Sequence, residues 1–217
     1  MQRNVQRIII FANGELPDLE KARLLLRSDD YIICADGGTR HAVALDIEPH
    51  LIIGDMDSAE KGQLQALQRA DILLELFPHD KNETDLELAI QRAIGLNPGQ
   101  ILVMGALGGR LDHTLGNIAL LSDMLHPSLD IRLDDGVEQV LLCRDQVQIH
   151  GASGDLVSLI PWQGSVSGIR TESLKWALDN ETLYPDKTRG LSNEMLGETA
   201  SVSIASGLLL VVHRRKS

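Results

Sequence analysis

Leu51-Ile52-Ile53-Gly54-Asp55-Met56-Asp57-Ser58 joins an apolar run to a polar one, and its register decides how the chain is built. Leu51 to Gly54 reads as a buried strand, and Ser58 as the N-cap of a helical segment reaching Arg69. In extended backbone, residues i and i+2 point the same way, about 6.5 Å apart. Asp55 and Asp57 then project together from the strand's carboxyl end, which in an open α/β sheet is the ligand-binding rim. Two close carboxylates repel unless a proton or a cation intervenes. Mg²⁺ suits such a pair, because it takes oxygen ligands and keeps waters and phosphates in its other positions. An acidic turn with Ser58 as a cap explains the same residues without a ligand.

Outward from this stretch, strand and helix candidates alternate. Strand runs at residues 7–11 and 31–35 end in Asn13-Gly14 and Asp36-Gly37-Gly38. Helical spacing is expected over 18–26 and 39–45. Further strands are predicted over 71–77 and 100–104, with helices over 84–94 and 111–125. Thr84 with Glu87 three residues later forms a capping box. This alternation predicts a mostly parallel sheet with helices on its faces. After His126-Pro127-Ser128 the pattern changes to short runs, from Ile131-Arg132-Leu133 to 208–212, separated by turn residues and lacking a helical period. They predict an antiparallel β-sandwich or open barrel. The expected fold is α/β: an N-terminal, mostly parallel-sheet domain over 1–127, then a C-terminal antiparallel β-sandwich domain over 128–217.

Composition narrows the function. Twenty basic against 31 acidic residues give a net charge of −11, which argues against a nucleic-acid partner needing a basic surface. It remains compatible with a nucleotide held through metal and backbone amides, and with a cationic small substrate. Met1-Gln2-Arg3-Asn4 lacks the apolar core of a signal peptide, and no apolar run has the length of a membrane span. The cytoplasm is the expected compartment, with no membrane partner. Cys34 and Cys143 lie in apolar runs without metal-ligand spacing and read as buried free thiols. Arg214-Arg215-Lys216 reads as a solvated tail.

The remaining motifs lie at strand ends. Asp36-Gly37-Gly38 suits either a tight turn or backbone amides offered to phosphate. Asp80-Lys81-Asn82-Glu83-Thr84-Asp85 opens a helix, whose N-terminus favours phosphate; capping alone also accounts for Thr84, Asp85 and Glu87. Gly105-Ala106-Leu107-Gly108-Gly109-Arg110-Leu111-Asp112-His113 enters the next helix, with Arg110 able to pair bidentately with phosphate and Asn117 about one turn beyond Asp112. No Gly-Lys-Ser/Thr follows, so this is not a Walker A loop. In the β half, Leu174-Lys175-Trp176 and Leu191-Ser192-Asn193-Glu194 stand out. Trp176 is either core or a surface for stacking a flat heteroaromatic cation. Trp162, beside Pro161, reads as core.

The order and spacing of these motifs resemble the thiamine pyrophosphokinase family. The resemblance implies a homodimeric enzyme that transfers the diphosphate of ATP to the hydroxyl of thiamine and releases AMP, with Mg²⁺ as cofactor. It implies metal ligation by Asp55, Asp57 and Asp85, and catalytic roles for Asp57, Asp85, Arg110 and Asp112. The ATP-binding set is Asn13, Gly37, Gly38, Lys81, Thr84, Gly108, Gly109, Arg110, His113 and Asn117. Thiamine-binding roles fall to Asp36, Trp176, Ser192 and Asn193, the last three completing a pocket that faces the other subunit's α/β domain. Asp36, Asp112 and His113 are the candidate general bases. Two positions depart from the family pattern. Family members often carry Lys-Asp-x-Thr-Asp where this chain has Asn82 after Lys81. They usually have glycine before Leu174, where this chain has Ser173; a positive φ there would strain it. Two other classes use the same residues: a metal-dependent nucleotide or phosphate-ester hydrolase, and a non-catalytic nucleotide- or thiamine-binding regulator.

Overall fold

The computed structural model describes residues 5–55, 72–123 and 129–216. The expected helix from Ser58 to Arg69, and with it Met56 and Asp57, lies outside the described residues. Two compact units divide the chain, Met1–Gly136 and Val137–Ser217.

In the first unit, six parallel strands run in the order β6-β5-β1-β2-β3-β4. They are β1 (Arg7–Phe11), β2 (Tyr31–Ala35), β3 (Leu51–Gly54), β4 (Leu73–Leu76), β5 (Gln100–Met104) and β6 (Asp130–Asp134). All five residues of β1 are buried, as an apolar central strand covered on both faces must be. Ile9, Phe11, Ile32, Cys34, Ile52, Leu102 and Met104 share one core with Ala22, Ala42 and Leu45 from the helices; the period of two along each strand selects them.

The helices are α1 (Leu19–Leu24), α2 (Thr39–Ala44), α3 (Asp85–Ile94) and α4 (Leu111–Asp123). Asp18 caps α1, accepting the Lys21 N–H at 3.0 Å. Thr84 caps α3, accepting the Glu87 N–H at 3.1 Å. Helix α3 buries Leu86, Ala89, Ile90 and Ala93, an i, i+3, i+4, i+7 stripe, and its Arg92 Nε is 2.7 Å from Glu75 on β4.

From β1 the chain winds outward through β2, β3 and β4, then returns to β5 on the other flank of β1. Strand order therefore reverses between β1 and β5. A doubly wound sheet opens its ligand crevice at the carboxyl ends of such strands.

The boundary is a correction. Residues 131–133 were expected in the antiparallel region, with the break near 127/128, but β6 pairs in parallel with β5. The compact unit extends to Gly136. A three-residue apolar run carries no local mark of the strand it will pair with.

The second unit holds two antiparallel sets of strands. One is β12-β9-β14-β7: β12 (Asn193–Glu194), β9 (Leu156–Pro161), β14 (Leu209–Arg214) and β7 (Glu138–Cys143). The other is β11-β10-β13-β8: β11 (Asp179–Leu183), β10 (Val166–Glu172), β13 (Thr199–Ser203) and β8 (Gln146–His150). Leu141, Cys143, Val157, Leu159, Leu209 and Val211 from the first set share a core with Ile149, Ile169, Leu183, Ala200 and Val202 from the second. That is a β-sandwich, its inward positions alternating along each strand. Arg214 belongs to β14 and pairs with Glu138 at 2.8 Å, so it is not tail. Trp162 is half-buried. Both cysteines are free and buried, and burial pushes their thiols up to about 12 for Cys34 and about 11 for Cys143. No described helix is long and apolar enough to cross a membrane.

Candidate active site

A cleft of about 480 Å³ opens in the first unit and collects residues from four strand ends and loops. It lies at the switch point between β1 and β5. The two strands are held together beyond their ends: the Ala12 N–H donates to the Met104 carbonyl at 2.8 Å, and the Gly14 N–H to the Gly105 carbonyl at 2.6 Å. A Cβ on Gly14 would sit 2.4 Å from that Gly105 oxygen, so the approach needs glycine.

Helix α2 clamps the same turn. Arg40 Nη2 donates to the carbonyls of Asn13 at 2.8 Å and Gly14 at 2.6 Å, and His41 Nε2 lies 2.8 Å from the Gly14 carbonyl. A carbonyl only accepts, so His41 Nε2 carries the proton. The Arg40 Nε at 3.4 Å from it is then a contact between two donors and not a hydrogen bond. Burial lowers the His41 pKa from 6.5, against the opposing Gly14 bond, and the ring is neutral at pH 7.

In the Asp36-Gly37-Gly38 turn the glycines have a packing reason of their own. Ala35 and Asp36 line the cleft, but Gly37 and Gly38 do not. A Cβ on Gly38 would meet the Phe11 carbonyl oxygen at 2.0 Å, and one on Gly37 the Asn13 side chain at 2.5 Å. These glycines let the turn press against the end of β1; that packing accounts for them without a phosphate.

At the amino end of α3, Thr84, Asp85 and Leu86 face the cleft. Lys81 Nζ donates to Asp85 Oδ1 at 2.7 Å and lies 6.0 Å from the Phe77 ring centre. Lys81 reaches the cleft through its bond to Asp85 and does not line it. The glycine loop after β5 contributes Gly108, Gly109, Arg110 and His113. Gly108 and Gly109 have φ of +75° and +66°, values at which any other residue is strained. Asn117 also lines the cleft, but its Nδ2 donates to the Ala106 carbonyl at 2.8 Å. It pins the loop and keeps one amide proton for a ligand. Arg110 pairs with Asp112 through Nε to Oδ1 at 3.1 Å and Nη2 to Oδ2 at 2.5 Å. The Arg110 hydrogen bond is the main cause holding the Asp112 carboxyl below its ordinary range.

For a metal, the donor set is all carboxylate oxygen, which fits a hard divalent ion. Asp55 follows Gly54, which abuts Asp36: a Cβ on Gly54 would lie 3.1 Å from the Asp36 Cα. Asp36 and Asp85 line one cleft. Among the described residues no three His, Cys, Asp or Glu side chains form a ready cluster, and Asp57 lies outside them. Asp85 already faces one cation at 2.7 Å, so its position accepts positive charge.

In the second unit, Trp176 is 55% exposed and is not core. Its backbone is fixed by Asn193, which is buried. Asn193 Oδ1 accepts the Trp176 N–H at 3.0 Å and its Nδ2 donates to the Trp176 carbonyl at 2.7 Å. Asn193 therefore holds Trp176 through bonds no sequence pattern announces. Ser192 is exposed at φ +56°, its N–H donating to Ser158 Oγ at 3.0 Å. Ser173 stands at φ +57°, the strained conformation expected of a position that favours glycine.

Glu15, Arg40 and His41 were not singled out from sequence. The first two line the cleft and the third touches its wall. Arg40-His41 reads as ordinary helix surface until the β1 turn is folded against it.

The family model "Thiamin pyrophosphokinase, catalytic domain" matches residues 22–133, and "Thiamin pyrophosphokinase, vitamin B1 binding domain" matches 144–209. The chain belongs to the thiamin pyrophosphokinase family. Thiamine pyrophosphokinase from Bacillus subtilis is 29% identical over 182 residues, covering 83% of this chain and 85% of that protein. Thiamine pyrophosphokinase 1 from Oryza sativa subsp. japonica is also 29% identical, over 233 residues, covering 95% and 87%. A crystal structure of thiamine pyrophosphokinase from Bacillus subtilis superposes with a TM-score of 0.86 at 26% identity, covering 98% of this chain and all of that one. Thiamin pyrophosphokinases are enzymes, transferases of the kinase type that bind thiamine, so the non-catalytic reading falls. The hydrolase alternative finds no support in these likenesses.

Proposed function

We propose that this chain moves the diphosphate of ATP onto the hydroxyl of thiamine, giving thiamine diphosphate and AMP, as a cytoplasmic, Mg²⁺-dependent homodimer. One observation carries the reading of the site. Asp85 at the start of α3 and Arg110 at the start of α4 face one cleft at the sheet's switch point. Each is tied to an opposite charge, Asp85 to Lys81 and Arg110 to Asp112.

These two pairs suit an exchange of partners. Lys81 and Arg110 would take phosphate oxygens, and the carboxylates they release would be available to hold a divalent ion. The helix N-terminus at Thr84 and the amides of Gly108 and Gly109 add donors. Asp55, Asp57 and Asp85 would hold Mg²⁺, which when bound neutralises charge on the triphosphate. The thiamine hydroxyl oxygen forms its bond to the β-phosphorus, and the bond from that phosphorus to the α–β bridging oxygen breaks. AMP leaves with the bridging oxygen. The hydroxyl proton goes to a nearby base, for which Asp36, Asp112 and His113 are the candidates; a loose transition state asks little of it. Trp176 provides the stacking surface for thiamine, with Ser192 beside it. The homodimer rests on the family likeness alone.

Incubating the protein with ATP, Mg²⁺ and thiamine tests this directly. AMP and thiamine diphosphate should appear in equal amounts. Release of ADP or phosphate at the same rate without thiamine would refute it. Sedimentation of the pure protein checks the dimer.

A further inference from the structure

Lys175 lies against the ring that the proposed function assigns to thiamine. Its Nζ is 4.7 Å from the centre of the Trp176 ring system and 2.9 Å from Glu194 Oε2. The two residues are also joined through the backbone, the Lys175 N–H donating to the Glu194 carbonyl at 2.9 Å. Both side chains are part-exposed, and the Trp176 main chain is held on either side by Asn193. The indole thus hangs from a fixed backbone, with a movable ammonium on one face.

We propose that Lys175 and Glu194 set the affinity for the cationic substrate, Lys175 competing for the ring face and Glu194 supplying the carboxylate to which it withdraws. The inference rests on the reading of Trp176 as the thiamine platform. An aromatic face attracts a cation through its quadrupole. Thiamine carries a positive thiazolium ring, so it and the ammonium are drawn to the same negative face and repel each other. An ammonium that leaves the ring must keep its charge solvated or paired. Glu194 is already within hydrogen-bond distance, so Lys175 can withdraw by rotating about its terminal bonds without losing its partner. Once it has moved, the carboxylate also offsets part of the repulsion between the two cations.

The two residues therefore have opposite effects. Lys175→Met removes the competitor and leaves Glu194 to attract the ligand. Glu194→Gln leaves the ammonium without its counter-charge. The energy of an exposed cation–π contact corresponds to about a two- to fivefold change in affinity. Titrating thiamine into each full-length variant by calorimetry reads this. Lys175→Met should bind about two- to fivefold more tightly, Glu194→Gln more weakly, and Lys175→Arg, which keeps the charge, should show no gain. Raising salt should shrink the difference between Lys175→Met and the parent, because screening weakens exposed charge interactions; a purely steric effect would persist. In turnover, the change should fall on KM for thiamine and leave KM for ATP alone.

Unchanged or weaker thiamine binding in Lys175→Met would overturn the proposal. Trp176→Ala separates the two layers of the argument. If that variant loses thiamine affinity while Lys175→Met is neutral, the platform stands and the role of Lys175 falls. If Trp176→Ala binds thiamine like the parent, both fall.

Discussion

Replacing Ser173 with glycine should stabilise the protein. Ser173 is exposed and has φ +57°, where an L-residue's Cβ crowds the following carbonyl at a cost of about 1–2 kcal/mol. Its backbone carbonyl accepts the Leu196 N–H at 2.9 Å, so the turn is locked and the strain cannot relax by rotating the peptide. The Ser173 hydroxyl makes no hydrogen bond among the described residues, so glycine loses nothing there. Against the gain stands the greater freedom of glycine in the unfolded chain, about 0.4–1 kcal/mol. The net is about 0.5–1 kcal/mol in favour of Ser173→Gly. For a chain of this length each kcal/mol moves Tm by about 2–4 °C, so a rise of about 1–4 °C is expected by calorimetry if the two units melt together. If Val137–Ser217 melts separately, the shift in its own transition is about twofold larger. Ser173→Ala is the control: it removes the hydroxyl, keeps the Cβ, and should leave Tm nearly unchanged. A lower Tm in Ser173→Gly than in Ser173→Ala would refute the strain argument.

Asp85→Asn should cost orders of magnitude in kcat with little change in Tm, since Thr84 still caps α3; near-parent turnover would remove Asp85 from the chemistry. Asp57→Asn should do the same in a steady-state assay. His41 has its pKa lowered by burial, so the unfolded chain takes the proton first as pH falls below about 6.5, and stability declines from there toward the lower folded value. The fall in Tm between pH 7 and pH 5 should be smaller in His41→Gln, as thermal melts at each pH would read. Native protein at pH 8 should resist iodoacetamide at Cys34 and Cys143, because both thiols are buried with raised pKa; mass spectrometry should find alkylation only after unfolding.

The fold was largely legible because its signals are local. Continuous apolar runs closed by turn residues marked β1, β2, β3 and β5. Asp18 and Thr84 fall where side-chain caps are chemically needed. The jump from β4 back to β5 is a matter of register between distant segments, and no residue announces it. The same limit explains the misplaced boundary, since Ile131-Arg132-Leu133 looks alike whether its neighbour runs parallel or antiparallel. In the site, acidic and glycine clusters pointed to the strand ends that line the cleft but not to the purpose of each residue. Gly38 is required by the Phe11 carbonyl of its own chain, while Gly37 faces the movable end of the Asn13 side chain. Asn193 holds the Trp176 backbone at both its N–H and its carbonyl, a role its place in the sequence does not reveal. Arg40 was not singled out because its partners are two carbonyls 26 and 27 positions earlier.

Charge raises a further point about how a polyphosphate can enter. The chain carries −11 overall, so at long range it repels an anionic substrate. Screening limits that repulsion to about 8 Å at physiological salt, and inside this distance the local groups decide. Around the cleft, Arg40 is committed to the carbonyls of Asn13 and Gly14, which leave its charge uncancelled. Lys81 and Arg110 are each matched by one carboxylate. Were Asp85 to turn to a cation accompanying the substrate, Lys81 would be free to meet a phosphate. Glu15 and Asp36 line the cleft as well, so the rim has no cationic excess of its own, and Lys81 and Arg110 become available to a phosphate only as their carboxylates take another partner. The repulsive net charge would act on the rate of encounter more than on the affinity.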